Sequence, residues 1–248
     1  MYINDVHIVC YIIFGLLGAI VGQFTDWVIK RLSAEKKVFQ KGALKEFRNE
    51  FVPNYILIIL TALIYIALVY TNGWSVNLSQ NLTLFKFLIL TPILIATFVI
   101  DYKHQIIPNR LNLTLFELGL IFTFLYGFSN MNIATDMCLG LLAGGGVFLI
   151  ITLIGGLIAG KEAMGFGDVK LMCGLGLMFG LGETIVVTVL SFLIGAILSI
   201  ILLVTKKKKT SEYIPFGPFI VIASFIGMFV PFIDLSNFLM TIFTLGLY

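Results

Sequence analysis

Charge is scarce in this 248-residue chain. Only 12% of its residues are Asp, Glu, Lys or Arg, against 59% hydrophobic ones, and the mean hydropathy is +1.05. Soluble domains sit near half apolar and a quarter charged. A globular enzyme built on one large core is therefore excluded, and a polytopic membrane protein takes its place. The net charge of +3 is small and gives no reason to expect a nucleic-acid partner. Cysteine is scarce too. Cys10, Cys138 and Cys173 form no CxxC pair, which speaks against a zinc knuckle or a disulfide framework, and each is expected as a buried small hydrophobe. HExxH is absent, so a zinc protease is not indicated, and neither histidine, His7 or His104, pairs with a nucleophilic Ser or Cys. No glycine-rich dinucleotide fingerprint is present.

What is there is a series of apolar runs. The first, His7 to Ile29, has no basic region ahead of it and its positive charges behind it, so it is expected to stay as a transmembrane helix and not to be cleaved as a signal peptide. Gly18 and Gly22 on it have the small-xxx-small spacing of close helix packing. The basic segment 30–53 follows, with Lys30, Arg31, Lys36, Lys37, Lys41, Lys45 and Arg48. The positive-inside rule places it in the cytoplasm and the N-terminus outside. Topology alone explains such a loop, and holding anionic lipid headgroups is its functional alternative. Further spans are expected at 54–70, 84–100, 111–128 and 137–159, with outer loops at 71–83 and 129–136. The run 171–204 ends in Lys206–Lys209, so both its ends face inward. Splitting it near Gly182-Glu183-Thr184 gives two short spans, and a re-entrant pair satisfies the same charges. A last span is expected at 216–233, followed by an apolar tail at the outer interface. The fold class is thus an all-α polytopic membrane helix bundle of about eight transmembrane segments, forming one membrane-embedded domain over 1–248.

Two carboxylates stand out. Asp101 ends the third span, and Asp168 closes Gly165-Phe166-Gly167-Asp168 at the edge of the long run. The topology brings both to the cytoplasmic side at similar depth. Two carboxylates within hydrogen-bonding reach cannot easily both ionise, so one proton is shared. The ionised partner can then take a proton from water while the protonated one polarises a carbonyl. Gly165 and Gly167 would let the backbone leave the helix and approach an extended peptide. Pro108, in Ile107-Pro108-Asn109, and Pro215, Gly217 and Pro218, in Pro215-Phe216-Gly217-Pro218-Phe219, read singly as helix boundaries. Together they read as kinked walls of a substrate groove.

With these residues assembled, the chain resembles the type IV prepilin peptidases, membrane aspartyl proteases of the GxGD type. The resemblance rests on Asp101 with Ile107-Pro108-Asn109, on Lys161-Glu162-Ala163-Met164-Gly165-Phe166-Gly167-Asp168-Val169-Lys170, and on Pro215-Phe216-Gly217-Pro218-Phe219. It implies that Asp101 and Asp168 are the catalytic pair. It also implies that short basic leaders of prepilins or pseudopilins are cut on the cytoplasmic face of the bacterial inner membrane, with glycine before the cut and phenylalanine after it. Glu162 matches the family pattern. It either pairs with Lys161 or Lys170 or attracts the basic leader, and Lys170 can also anchor the interface by snorkelling. The first helix is similar to the family's, but Gln23 and Asp26 depart from its usual Gly-Ser-Phe-Leu-Asn. Asp26 is expected in a salt bridge to a nearby Lys or Arg. Many members carry two CxxC pairs in the first cytoplasmic loop. Segment 30–53 contains no cysteine, so no zinc is expected, and no cofactor is expected for peptide hydrolysis. Many members also methylate the new N-terminus with S-adenosylmethionine, which the resemblance leaves open for this chain.

Two rival readings remain at this point. One is an intramembrane protease of the presenilin or signal-peptide-peptidase kind, whose aspartates would lie deep within two helices. The other is an ion-coupled transporter, in which the carboxylates would carry ions or protons.

Overall fold

In the computed structural model, residues 2–4, 6–38, 43–49, 52–74, 78–159, 164–205 and 214–244 are described. The chain opens with two short paired strands, β1 (Tyr2–Ile3) and β2 (Val6–His7). The helices follow: α1 (Ile8–Ser33), α2 (Ala43–Asn49), α3 (Tyr55–Asn72), α4 (Leu78–His104), α5 (Asn109–Ser129), α6 (Met131–Ala159), α7 (Phe166–Phe179), α8 (Leu181–Val204), α9 (Gly217–Phe229) and α10 (Phe232–Phe243). Six of them, α1, α3, α4, α5, α6 and α8, are long and apolar enough to cross a membrane. The protein is an all-α polytopic helix bundle. It divides into two compact units, Met1–Ile100 and Asp101–Tyr248.

In the first unit, α1 packs on α3 through the expected glycine pair. A Cβ on Gly18 would stand 2.8 Å from the Thr61 carbonyl oxygen, and one on Gly22 would stand 2.6 Å from that of Leu57. The two residues that depart from the family pattern fasten the start of α3. Gln23 Oε1 accepts from the Asn54 amide at 3.0 Å, and Gln23 Nε2 donates to the Val52 carbonyl at 3.0 Å. Asn54 Nδ2 donates to Asp26 Oδ1 at 2.6 Å. Asp26 also pairs with Lys30, at 2.6 Å, which is the salt bridge expected of it. The segment 30–53 is partly helical: α1 continues to Ser33 and α2 lies within it.

In the second unit, the outer loop expected at 129–136 does not form. Asn130 alone separates α5 from α6. Its amide bonds back to the Tyr126 carbonyl, and its side chain accepts from the Asn132 amide at 3.0 Å, so one residue ends one helix and starts the next. The expected break in 171–204 exists, but it falls at Gly180, whose φ of +87° suits glycine and ends α7 two residues before the expected point. Fourteen-residue α7 rises about 21 Å, less than the roughly 30 Å of a hydrocarbon core. The expected last span also breaks. Pro231 has no N–H to continue α9, and α10 occupies much of what reads as a tail. Of the about eight segments expected, two of them short, six are long and apolar enough to cross a membrane among the described residues; α7, α9 and α10 are shorter helices.

Small residues close the α6–α7 contact. A Cβ on Gly144 would lie 2.6 Å from the Met172 carbonyl oxygen, and Gly140 and Gly176 meet backbone to backbone. The cysteines correct the expectation of burial: Cys138 is exposed, and Cys10 and Cys173 are only half-buried. In a bundle whose outer surface faces lipid, an apolar side chain gains little by pointing inward. Lys161, Glu162 and Lys206–Lys209 lie outside the described residues.

Candidate active site

Three breaks in helical structure meet in the second unit. The first is the end of α4. Asp101 sits in its last turn, and its carbonyl accepts from the Gln105 amide at 2.8 Å. Gln105 takes a left-handed conformation, with φ 56°, which stops the helix. Buried Ile107 follows, and Pro108 then starts α5 with its ring-fixed φ of −60°. The second break precedes α7. Gly165 is the N-cap, and Asp168 is the third helical residue, its amide bonded to the Gly165 carbonyl at 3.0 Å. A carboxylate in a first turn is favoured by the exposed amides there. The third break precedes α9, where Gly217 and Pro218 are the first two helical residues and Phe216 caps them.

Ile107 joins these breaks. A Cβ on Gly167 would lie 3.3 Å from Ile107 Cβ, and one on Gly217 would lie 3.2 Å from Ile107 Cδ1. Gly217 also abuts Asp101: its Cβ would stand 2.5 Å from Asp101 Oδ2. The Gly217 amide faces the Asp101 carboxyl, and the Asp101 charge acts on Asp168. Both aspartates are almost fully enclosed, at 4% and 3% exposure. Asp101 Oδ2 and Asp168 Oδ1 nonetheless lack hydrogen-bond partners. Buried acceptors are usually satisfied, so these two oxygens can still accept a proton or a donor.

The Pro-Phe-Gly-Pro-Phe turn is held by rings. Phe216 lies with its centroid 5.0 Å from Phe192, 5.9 Å from Phe148 and 5.8 Å from Phe219. Gly195 makes room for the cluster, since a Cβ there would stand 3.0 Å from Phe219. Pro215, Gly217 and Pro218 are buried, whereas Pro108 is half-buried. Lys170 is exposed, donates to Asn109 Oδ1 at 2.8 Å and lies over the Phe166 ring, so it ties α7 to the start of α5. Of the expected site residues, only Glu162 falls outside the described structure.

Asn112 is the residue that sequence reading missed. It is buried on α5, and its Nδ2 donates to the Gly167 carbonyl at 3.1 Å, while its Oδ1 has no partner. An amide side chain among apolar neighbours on a spanning helix was the available signal. Asn112→Ala is expected to cost about 1 kcal/mol, the worth of one hydrogen bond, and to loosen the turn before Asp168. Thermal unfolding in detergent checks the first effect and turnover checks the second.

Residues 88–200 match the type IV leader peptidase family. The chain is 35% identical over 172 residues to the prepilin leader peptidase/N-methyltransferase of Aeromonas hydrophila, covering 68% of this chain and 56% of that protein. It is 34% identical over 191 residues to the protein of the same name in Aeromonas salmonicida strain A449, covering 76% and 62%. With that of Pseudomonas aeruginosa it shares 37% identity over 142 residues, covering 57% and 48%. The chain thus spans about half to three-fifths of these relatives' length. No solved structure matches it. Residues 88–200, which carry both Asp101 and Asp168, are thus the part of this chain that is similar to the type IV leader peptidase family.

Proposed function

We propose that the protein is a prepilin leader peptidase in which Asp101 and Asp168 are the catalytic pair. The observation that carries this reading is the enclosed pair of carboxylates, each with an unpartnered oxygen, inside the segment that matches the family. One carboxylate, ionised, takes a proton from water as its oxygen attacks the scissile carbonyl carbon. The other, protonated, donates a hydrogen bond to the carbonyl oxygen as negative charge develops there. Collapse of the tetrahedral species breaks the C–N bond, and the proton just gained passes to the leaving nitrogen. The Gly217 amide steadies the Asp101 carboxyl through this exchange of roles. The substrates are type IV prepilins or pseudopilins with basic leaders, cut at the cytoplasmic face of the bacterial inner membrane. Placement at helix ends, in the last turn of α4 and the first turn of α7, favours this over a presenilin-like site deep within two helices.

The relatives' names also carry an N-methyltransferase activity, which implies S-adenosylmethionine. Neither described pocket fits that group. The polar one, in the first unit, has a volume of about 70 Å³, against the roughly 300–1,000 Å³ of pockets for ligands of that size. The roomier groove along α5 and α6 is lined by apolar side chains such as Leu120, Phe124 and Leu142, unsuited to a charged nucleoside. No methyl-transfer step is derived from these residues.

The test is incubation of the detergent-purified chain with a prepilin carrying a basic leader and a Gly–Phe junction. Mass spectrometry reads the new N-terminus, with and without S-adenosylmethionine. A single cut at that junction is expected, and an intact substrate with folded enzyme across several prepilins would overturn the reading. Because segment 30–53 has no cysteine, the cleavage rate is expected to be unchanged by a strong zinc chelator. A loss restored by added zinc would reveal a metal site.

A further inference from the structure

A polar pocket closes around the far end of α1 in the first unit. Trp27, Lys30, Arg31, Lys36, Glu46 and Phe47 line it, with Gln23, Asp26 and Ala34. The turn after α1 builds it. Glu35 takes a left-handed conformation, with φ 56°, and the Ala34, Glu35 and Lys36 amides bond back to the carbonyls of Lys30, Arg31 and Leu32. This folds Lys36 over the end of the helix and uses up the acceptors there.

A count of valences shows what the pocket lacks. Asp26 is taken by Lys30 and Asn54. Arg31 gives Nε and Nη2 to the Lys37 carbonyl, at 3.1 and 2.9 Å, and Nη1 to Glu46. Its guanidinium also stacks 5.1 Å over the Trp27 ring. Gln23 is satisfied at both ends. Two donors remain. The Trp27 indole N–H has no acceptor, although the residue is 93% enclosed, with 7% exposure. The Lys36 ammonium has no ion-pair partner among the described residues. Phe24 and Phe47 hold the indole at 5.5 and 5.4 Å, so it cannot readily turn to find an acceptor elsewhere. An unpaired buried N–H is costly. The lining holds three cations and two carboxylates, so an anion also corrects its charge. A volume of about 70 Å³ admits a compact group and not a nucleoside.

We infer that this pocket binds a compact phosphate-type oxyanion, which accepts from the Trp27 indole N–H and pairs with the Lys36 ammonium. The group comes either from an anionic lipid headgroup or from free phosphate. The pocket lies beyond the apolar outer face of α1, where Leu16, Leu17 and Ile20 are exposed, so lipid phosphates are within reach.

The test uses the chain's two tryptophans. Trp74→Phe leaves Trp27 as the sole reporter in the full-length protein, purified in an uncharged detergent. Its fluorescence is titrated with inorganic phosphate against chloride at matched ionic strength. It is also compared in phosphatidylcholine nanodiscs with and without phosphatidylglycerol. A saturable change specific to phosphate, or to the phosphatidylglycerol discs, is expected, and the arm that responds identifies the source. Lys36→Gln is expected to weaken the response about tenfold, as for loss of a charged hydrogen bond. In the natural Trp74 background, Trp27→Phe keeps the ring packing and should abolish stabilisation by phosphate in thermal unfolding. No saturable response in either arm would overturn the inference and leave only water in the cavity. So would an equal response from Lys36→Gln, an exposed change that leaves the fold intact.

Discussion

Asp101→Asn and Asp168→Asn should each lower prepilin cleavage by about 10²–10⁴-fold, the usual contribution of a general acid or base, with expression and membrane insertion unchanged. Asparagine keeps the size of each side chain but can neither take the proton of water nor alternate between acid and base. The packing around both positions would survive the change: Asp101 keeps its place beside Gly217, and Asp168 its place in the first turn of α7. The double variant separates two accounts. If the carboxylates act as one unit, Asp101→Asn/Asp168→Asn falls no further than the worse single variant. Independent electrostatic contributions would multiply. Single-turnover cleavage, with the insertion of each variant checked by protease accessibility, measures both quantities. Either single variant cutting at the natural rate would remove the pair from the mechanism.

The parts of the fold legible in the sequence are those that depend on composition. Apolar runs marked α1, α3, α4, α5, α6 and α8 to within a few residues at most ends, because spanning a hydrocarbon layer demands length and hydrophobicity whatever the neighbours are. Gly18 and Gly22 were legible because their only value on a helix is close approach. The misplaced features are those decided by one side chain's local bonding. Asn130 turns the chain between α5 and α6 in one residue because its side chain caps the new helix. Pro231 divides an apolar stretch that hydropathy reads as continuous. At the site, the aspartates and glycines announced themselves as costly or permissive residues at membrane edges. Ile107 was legible only as a member of Ile107-Pro108-Asn109, for an isoleucine beside a proline looks like any other apolar residue. Its importance is spatial: it lies against Gly167 and Gly217, 60 and 110 positions further on. Asn112 was hidden for a related reason, since its partner is a backbone carbonyl 55 residues away.

Gly217→Ala is expected to damage catalysis far more than stability. The new methyl would lie 2.5 Å from Asp101 Oδ2 and 3.1 Å from Cγ, too close for either to stay in place. What yields is the end of a side chain, not backbone, so Asp101 can swing aside at modest cost. A displacement on the order of 1 Å is enough to lower turnover about 10²-fold when the moved group must align with water and a scissile carbonyl. Gly144→Ala provides the contrast. Its methyl would meet the Met172 carbonyl at 2.6 Å, a backbone atom in the packed α6–α7 contact that cannot rotate away. Forced overpacking of that kind costs about 1–3 kcal/mol, so Gly144→Ala should lower the unfolding temperature while the surviving folded enzyme still cuts. Measuring turnover and thermal unfolding side by side for the two variants tests the assignment. A Gly217→Ala enzyme with full turnover would mean that the Asp101 carboxyl does not need the position in which α9 holds it. Loss of turnover only in proportion to unfolded protein would make Gly217 a packing residue and nothing more.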